Sequence, residues 1–120
     1  MPREPSSSVR VFYPKLTKLE AIRLLSERLK TLAEHLPITR VVLFGSYARG
    51  NYTVGSDIDL LVVYRGERRE DAYALVKKVL NLPGLEPHVY TEAECETVHG
   101  TIQTMLRDSV VLFPADDSSG

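Results

Sequence analysis

One hundred and twenty residues are enough for one domain with a single core. An apolar fraction of 43%, a charged fraction of 26% and no apolar run near the roughly 20 residues that cross a bilayer exclude a membrane-spanning helix. A formal net charge of −1 argues against long nucleic acid as a direct partner, and one cysteine, Cys95, excludes an internal disulfide framework.

Residues 1–8, rich in Pro and Ser and without the apolar centre of a signal peptide, are expected to form a disordered tail on a cytoplasmic protein. Val9 to Tyr13 alternates in β-favouring residues and predicts a short edge strand ended by Pro14. Thr17-Lys18-Leu19-Glu20 has capping-box spacing. The helix it opens carries Leu19, Ile22, Leu25, Leu29, Leu32 and Leu36 as an apolar stripe and stops at Pro37. Thr39 to Phe44 reads as a buried strand, Ser46 to Gly50 as a helical turn, and Asp57 to Tyr64 as a second strand. A second amphipathic helix is expected from about Arg69 to Leu82, ended by Pro83-Gly84. Leu85 to Tyr90 reads as a third strand that Pro87 confines to an edge. Thr91 to Glu94 repeats the capping-box spacing and opens a third helix carrying Cys95, Val98, Ile102, Met105 and Leu106, with Gly100 as its weak point. Ser109 to Phe113 is a last strand, and residues 115–120 are a polar tail. The sum is an α/β domain over residues 9–114, a small mixed sheet with helices packed against it.

The chemistry concentrates between Phe44 and Asp59. Successive strand residues face opposite ways, so Asp57 and Asp59 project from one face, and two carboxylates there make the oxygen-rich pair that Mg²⁺ prefers. Gly45 and Ser46 are expected to hold phosphates. The glycine lets the backbone approach a ligand, and the serine adds a hydroxyl donor. Arg49 either pairs with phosphate through its guanidinium fork or bridges to an acid on its own loop. Ser56 either orients Asp57 or caps the strand. Tyr47, Tyr52 and Tyr64 read better as packing than as base-stacking residues, and Cys95, on an apolar stripe, as buried and inert. A phosphate cradle beside a metal-binding pair points to chemistry on a nucleotide.

Phe44-Gly45-Ser46-Tyr47-Ala48-Arg49-Gly50 followed by Ser56-Asp57-Ile58-Asp59-Leu60-Leu61-Val62, with ten residues between Ser46 and Asp57, resembles the nucleotidyltransferase superfamily, whose best-known fold member is DNA polymerase β. The fuller pattern is similar to the minimal nucleotidyltransferases, many of them antitoxins paired with a HEPN-domain toxin; the match is close over residues 39–64. The resemblance implies a polymerase β-like fold, ATP as substrate and one or two Mg²⁺ ions held by Asp57 and Asp59. It also implies a third acid on the next strand, for which Glu86 is the positional match. Here the sequence departs from the common pattern, with Glu in place of Asp and Pro87 directly after it, and His88 stands as rival or helper. The stretch after Asp59 is too short for an acceptor-binding domain, so the acceptor is expected on a partner or in an oligomer. The first reading is AMP transfer from ATP to a side-chain hydroxyl of a HEPN toxin. A second is a binding module that neutralises such a toxin by contact alone. A third is an enzyme acting on a small molecule, with a homodimer completing the site.

Overall fold

The computed structural model describes residues 16–52, 56–105 and 107–114. The expected strand at Val9 to Tyr13, the two tails, the loop at 53–55 and Leu106 lie outside these residues. Helix α1 (Lys18–His35) starts where the capping box places it: Thr17 Oγ1 accepts from the Glu20 N–H at 3.1 Å, and Glu20 Oε1 accepts from the Thr17 N–H at 3.0 Å. Its buried stripe is Ala21, Leu25, Leu29 and Leu32, continued by Leu36. Leu19, expected on that stripe, is 77% exposed. It lies two residues before Ala21, about 200° around a helix of 3.6 residues per turn, and so faces away.

Four strands follow: β1 (Ile38–Phe44), β2 (Ile58–Tyr64), β3 (Leu85–Thr91) and β4 (Val110–Phe113), in the sheet order β3-β2-β1-β4. β1 pairs antiparallel with both β2 and β4, whereas β2 and β3 are parallel, joined across the sheet by helix α3 (Ala72–Leu80). Pro87 lies on β3, at the sheet edge, where its missing N–H does least harm. The short helix α2 (Gly45–Arg49) leads directly out of β1 and ends at Gly50 in the left-handed region, φ 85°.

Two expected helices differ from what forms. α3 is shorter than its periodicity suggests. At its front the Asp71 carboxylate is engaged by the Arg69 guanidinium at 3.0 and 3.1 Å, and at its end Asn81 adopts φ 44°, which turns the chain before Pro83 is reached. The third helix is two, α4 (Glu92–Thr97) and α5 (His99–Met105). The capping box of Thr91 and Glu94 forms as expected, but the break falls at Val98, φ −111° and ψ 29°, rather than at Gly100. Thr97 Oγ1 donates to the Glu94 carbonyl at 2.7 Å, drawing the last turn of α4 onto itself, and a β-branched residue follows.

The sheet separates two apolar clusters of unequal size. α1, α2 and α3 cover one face, where Leu25, Leu29 and Leu32 meet Val41, Leu43, Leu60, Val62, Tyr64, Val76 and Leu80. On the other face, among the described residues, Val42, Phe44, Leu61, Val63 and Ile102 are buried together, with Tyr90, Cys95 and Val98 packed partly against them. Cys95 is therefore half-buried rather than enclosed, and its burial pushes the thiol pKa up, which keeps it unreactive. No helix among the described residues is long and apolar enough to cross a membrane. Leu25, fully buried, is expected to cost about 2–5 kcal/mol on truncation to Ala. Leu19→Ala is expected to stay within about 0.5 kcal/mol of the parent. Urea unfolding of the two variants checks both values.

Candidate active site

Asp59 is positioned by register. On β2 it sits opposite Phe44, the last residue of β1, and beside Glu86 on β3. Strand alternation places Ile58, Leu60 and Val62 in the large core and turns Asp59, Leu61 and Val63 to the other face, toward α4 and α5. Asp59 thus occupies the end of the smaller cluster, next to Phe44, where apolar neighbours give way to solvent. Asp57 lies immediately before β2 and is exposed, so the strand begins one residue later than expected. Glu86 is exposed at the start of β3, and the Ile58 N–H donates to the Gly84 carbonyl at 2.7 Å, tying together the two strand beginnings that carry the acids.

Gly45 closes the site from the β1 side. Its φ of +77° is one that L side chains avoid, and a Cβ there would overlap Asp59 Oδ2 and come within 3.2 Å of Asp59 Cγ. The Gly45-Ser46 turn therefore packs directly against the Asp59 carboxylate, in the space a side chain on residue 45 would fill. Ser46 follows, partly exposed, and Ser56 stands partly buried just ahead of Asp57. Arg49 ends α2 and is exposed; among the described residues no acid pairs with it, so the loop salt bridge is not formed.

His88 joins the site. Two residues beyond Glu86, it reaches diagonally across to Asp59, with Nε2 3.8 Å from Oδ1, and its ring packs on Phe44 with centroids 5.3 Å apart. The Asp59 carboxyl is pushed above its ordinary pKa, first by burial and then by the negative charges of Asp57 and Glu86, while His88 pulls the other way. The site concentrates negative charge where solvent only partly relieves it.

That arrangement suits a hard cation. Among the described residues no three His, Cys, Asp or Glu side chains close into a metal cage. Mg²⁺, however, is usually held by one or two carboxylates together with substrate phosphates rather than by an all-protein cage. A part-buried Asp59, raised by burial and by the neighbouring charges of Asp57 and Glu86, fits that mode of binding.

The loop itself is held by α1, a support that sequence spacing gives no means to find because the partners are about thirty residues apart. The Lys18 N–H, unpaired within its own helix, donates to Tyr52 Oη at 2.8 Å, and Lys18 Nζ donates to the Ala48 carbonyl at 2.7 Å. Tyr47 and Tyr52 stack at 4.2 Å, and Tyr47 Oη donates to the Leu16 carbonyl at 2.9 Å. Tyr64 is buried and accepts from the Arg69 N–H at 2.7 Å. All three tyrosines are structural, as the sequence suggests.

The family model of the nucleotidyltransferase domain matches residues 22–112 of this chain. A Methanocaldococcus jannaschii protein named "putative protein adenylyltransferase MJ0604" is 65% identical over 26 residues, 22% of this chain and 26% of that protein. A second from the same organism, "putative protein adenylyltransferase MJ0141", is 41% identical over 49 residues, 39% of this chain and 50% of that protein. The chain thus spans at most half the length of the curated relatives it matches. Among solved structures, a nucleotidyltransferase of Sulfolobus solfataricus, itself described as putative, superposes with a TM-score of 0.56 at 24% identity, over 89% of this chain and 86% of that one. A complex of a tri-AMPylated Shewanella oneidensis HEPN toxin with its MNT antitoxin gives a TM-score of 0.51 at 18% identity, over 82% of this chain and 76% of that one. At these identities the superpositions establish the polymerase β-like fold. With the family model spanning most of the chain and the Gly45-Ser46 loop meeting Asp59, the protein belongs to the nucleotidyltransferase domain family.

Proposed function

We propose that this protein transfers AMP from ATP to a side-chain hydroxyl of a HEPN-domain partner, in the cytoplasm, as the antitoxin of a toxin–antitoxin pair. The nucleotidyltransferase domain is taken to run over residues 9–114, with residues 1–8 and 115–120 as tails. The observation that carries the reading is the contact of Gly45 with the Asp59 carboxylate, which sets the Gly45-Ser46 turn of the sequence motif directly against one of the motif's two acids. The protein adenylyltransferase names of the two relatives and the AMPylated toxin in the superposed complex support the acceptor class.

In this reading Gly45, Ser46 and Arg49 bind the triphosphate, with Ser56 steadying Asp57. Asp57, Asp59 and Glu86 would offer carboxylates to Mg²⁺ jointly with the substrate phosphates, not as an all-protein cage. The chemistry that Mg²⁺ supplies when bound is neutralisation of the phosphate charge and stabilisation of the attacking and leaving oxygens. The acceptor hydroxyl oxygen forms a bond to the α-phosphorus while the bond from that phosphorus to the bridging oxygen of the β-phosphate breaks. Pyrophosphate leaves with the electron pair. In this reading the exposed Glu86 carboxylate takes the hydroxyl proton, and His88, with Nε2 3.8 Å from Asp59 Oδ1, steadies Asp59.

Incubation with ATP, Mg²⁺ and the HEPN partner is expected to add AMP mass to the partner. Asp57→Asn is expected to slow this by roughly a hundredfold or more. A partner neutralised without added mass, and equally well by the Asp57→Asn, Asp59→Asn double variant, would instead identify a contact antitoxin.

Asp59→Asn separates function from folding. The folded pKa of Asp59 lies above its unfolded value, so the folded state binds the proton more tightly, and stability is lost as pH rises from the unfolded toward the folded pKa. In metal-free buffer the variant is expected to melt above the parent at neutral pH and level with it at strongly acid pH, while its transfer activity is lost. Thermal melts at both pH values, alongside the mass assay, check the pair of outcomes.

Gly45→Ala combines a left-handed backbone strain of about 1–2 kcal/mol with the overlap on Asp59. A lowered melting temperature and loss of ATP binding by calorimetry are expected together.

A further inference from the structure

The acids of the site occupy one half of the sheet's end, at the start of β2 and β3. The other half is basic. Leu43 pairs with Leu60 of β2 on one side and with Val110 of β4 on the other, so the turn leading into β4 lies at the same end as Gly45 and Asp59. Strands are spaced about 4.8 Å apart, which puts that turn roughly 10 Å across the sheet from Asp59. It also lies on the same face, because Ile102 of α5 packs on Phe44 and Leu61 in the cluster that Asp59 borders.

Here Arg49, Thr104, Arg107 and Asp108 line a cavity of about 540 Å³. Among the described residues neither guanidinium donates a hydrogen bond or forms an ion pair, although Asp108 lines the same space. Arg28 and Arg69, by contrast, are spent on structure: Arg28 donates to the Leu80 and Asn81 carbonyls, and Arg69 to Asp71. Asp108 holds φ 56°, a left-handed turn through which the chain passes from Arg107 into β4.

We infer that Arg107, with Arg49 and Thr104, forms a second anion subsite that takes the β- and γ-phosphates of the nucleotide and then the pyrophosphate. The inference rests on the nucleotide-transfer reading above and extends it to a residue outside the sequence motif. Carboxylates and two unspent guanidinium forks set about two strand spacings apart at the same end of the sheet match a metal-bound triphosphate, whose α-phosphate meets the acids and whose tail carries the remaining charge. Thr104 adds a hydroxyl donor at the same wall. Asp108 opposes the tail and limits how tightly it is retained, which favours release of the product.

Calorimetric titration of the full chain with ATP and Mg²⁺ tests this. Arg107→Ala is expected to weaken ATP about tenfold, the worth of a charge-assisted hydrogen bond, with the melting temperature of the free protein unchanged. Arg107→Lys is expected to recover part of the loss, and Asp108→Asn, which tolerates the same turn, to tighten binding. Unchanged ATP affinity in Arg107→Ala, with the parent binding ATP, overturns the subsite and leaves the transfer reading standing. Equal loss in Arg107→Ala and Arg107→Lys together with a lowered melting temperature also overturns it, as a structural role. A parent that binds no ATP removes both readings.

Discussion

The antiparallel pairing of Phe44 with Asp59 is the constraint on which this site depends. It brings the residue that ends one strand against the acid near the start of another, so the next residue in the chain, Gly45, is delivered onto the carboxylate. Because side chains alternate along a strand, a slip of one residue would turn Asp59 into the large core and Leu60 toward the site. The alternation of Ile58, Leu60 and Val62 into that core prevents it. Burial on one face of β2 is thus what holds the chemistry on the other.

The parallel partner completes the arrangement. β3 sets Glu86 beside Asp59 and His88 one diagonal further, so three charged or polar groups share a few neighbouring strand positions. Among the described residues, His88 is the group whose approach offsets the negative charge around Asp59. The fold holds a locally unfavourable arrangement that its hydrophobic faces outweigh, as expected of a site waiting for positive charge.

The spacing of Gly45, Ser46, Asp57 and Asp59 between two apolar runs carried most of the site, because local chemistry and strand periodicity are both written in sequence. The capping boxes at Thr17 and Thr91 were legible for the same reason. What was not legible depended on distant partners. The engagement of His88 by Asp59 follows from a parallel register, and the anchoring of the loop by Lys18 from contacts about thirty residues apart. Leu19 and the split at Val98 were misread because stripes of apolar residues allow more than one phase and continuity. Arg107 has no motif around it and acquires meaning only from the pairing of β4 with β1.

The unequal clusters on the two faces of the sheet give the molecule a firm side and a soft side. Among the described residues, twenty buried ones knit α1, α2 and α3 to one face, whereas five secure the other, under helices divided at Val98. Among the described residues Ile102 is the buried side chain that α5 contributes, so its backbone amides are expected to exchange ahead of those of α1, whose Ala21, Leu25, Leu29 and Leu32 are buried. Asp59 and Arg107 both border the soft side, so the segment most able to yield is the one beside the candidate site.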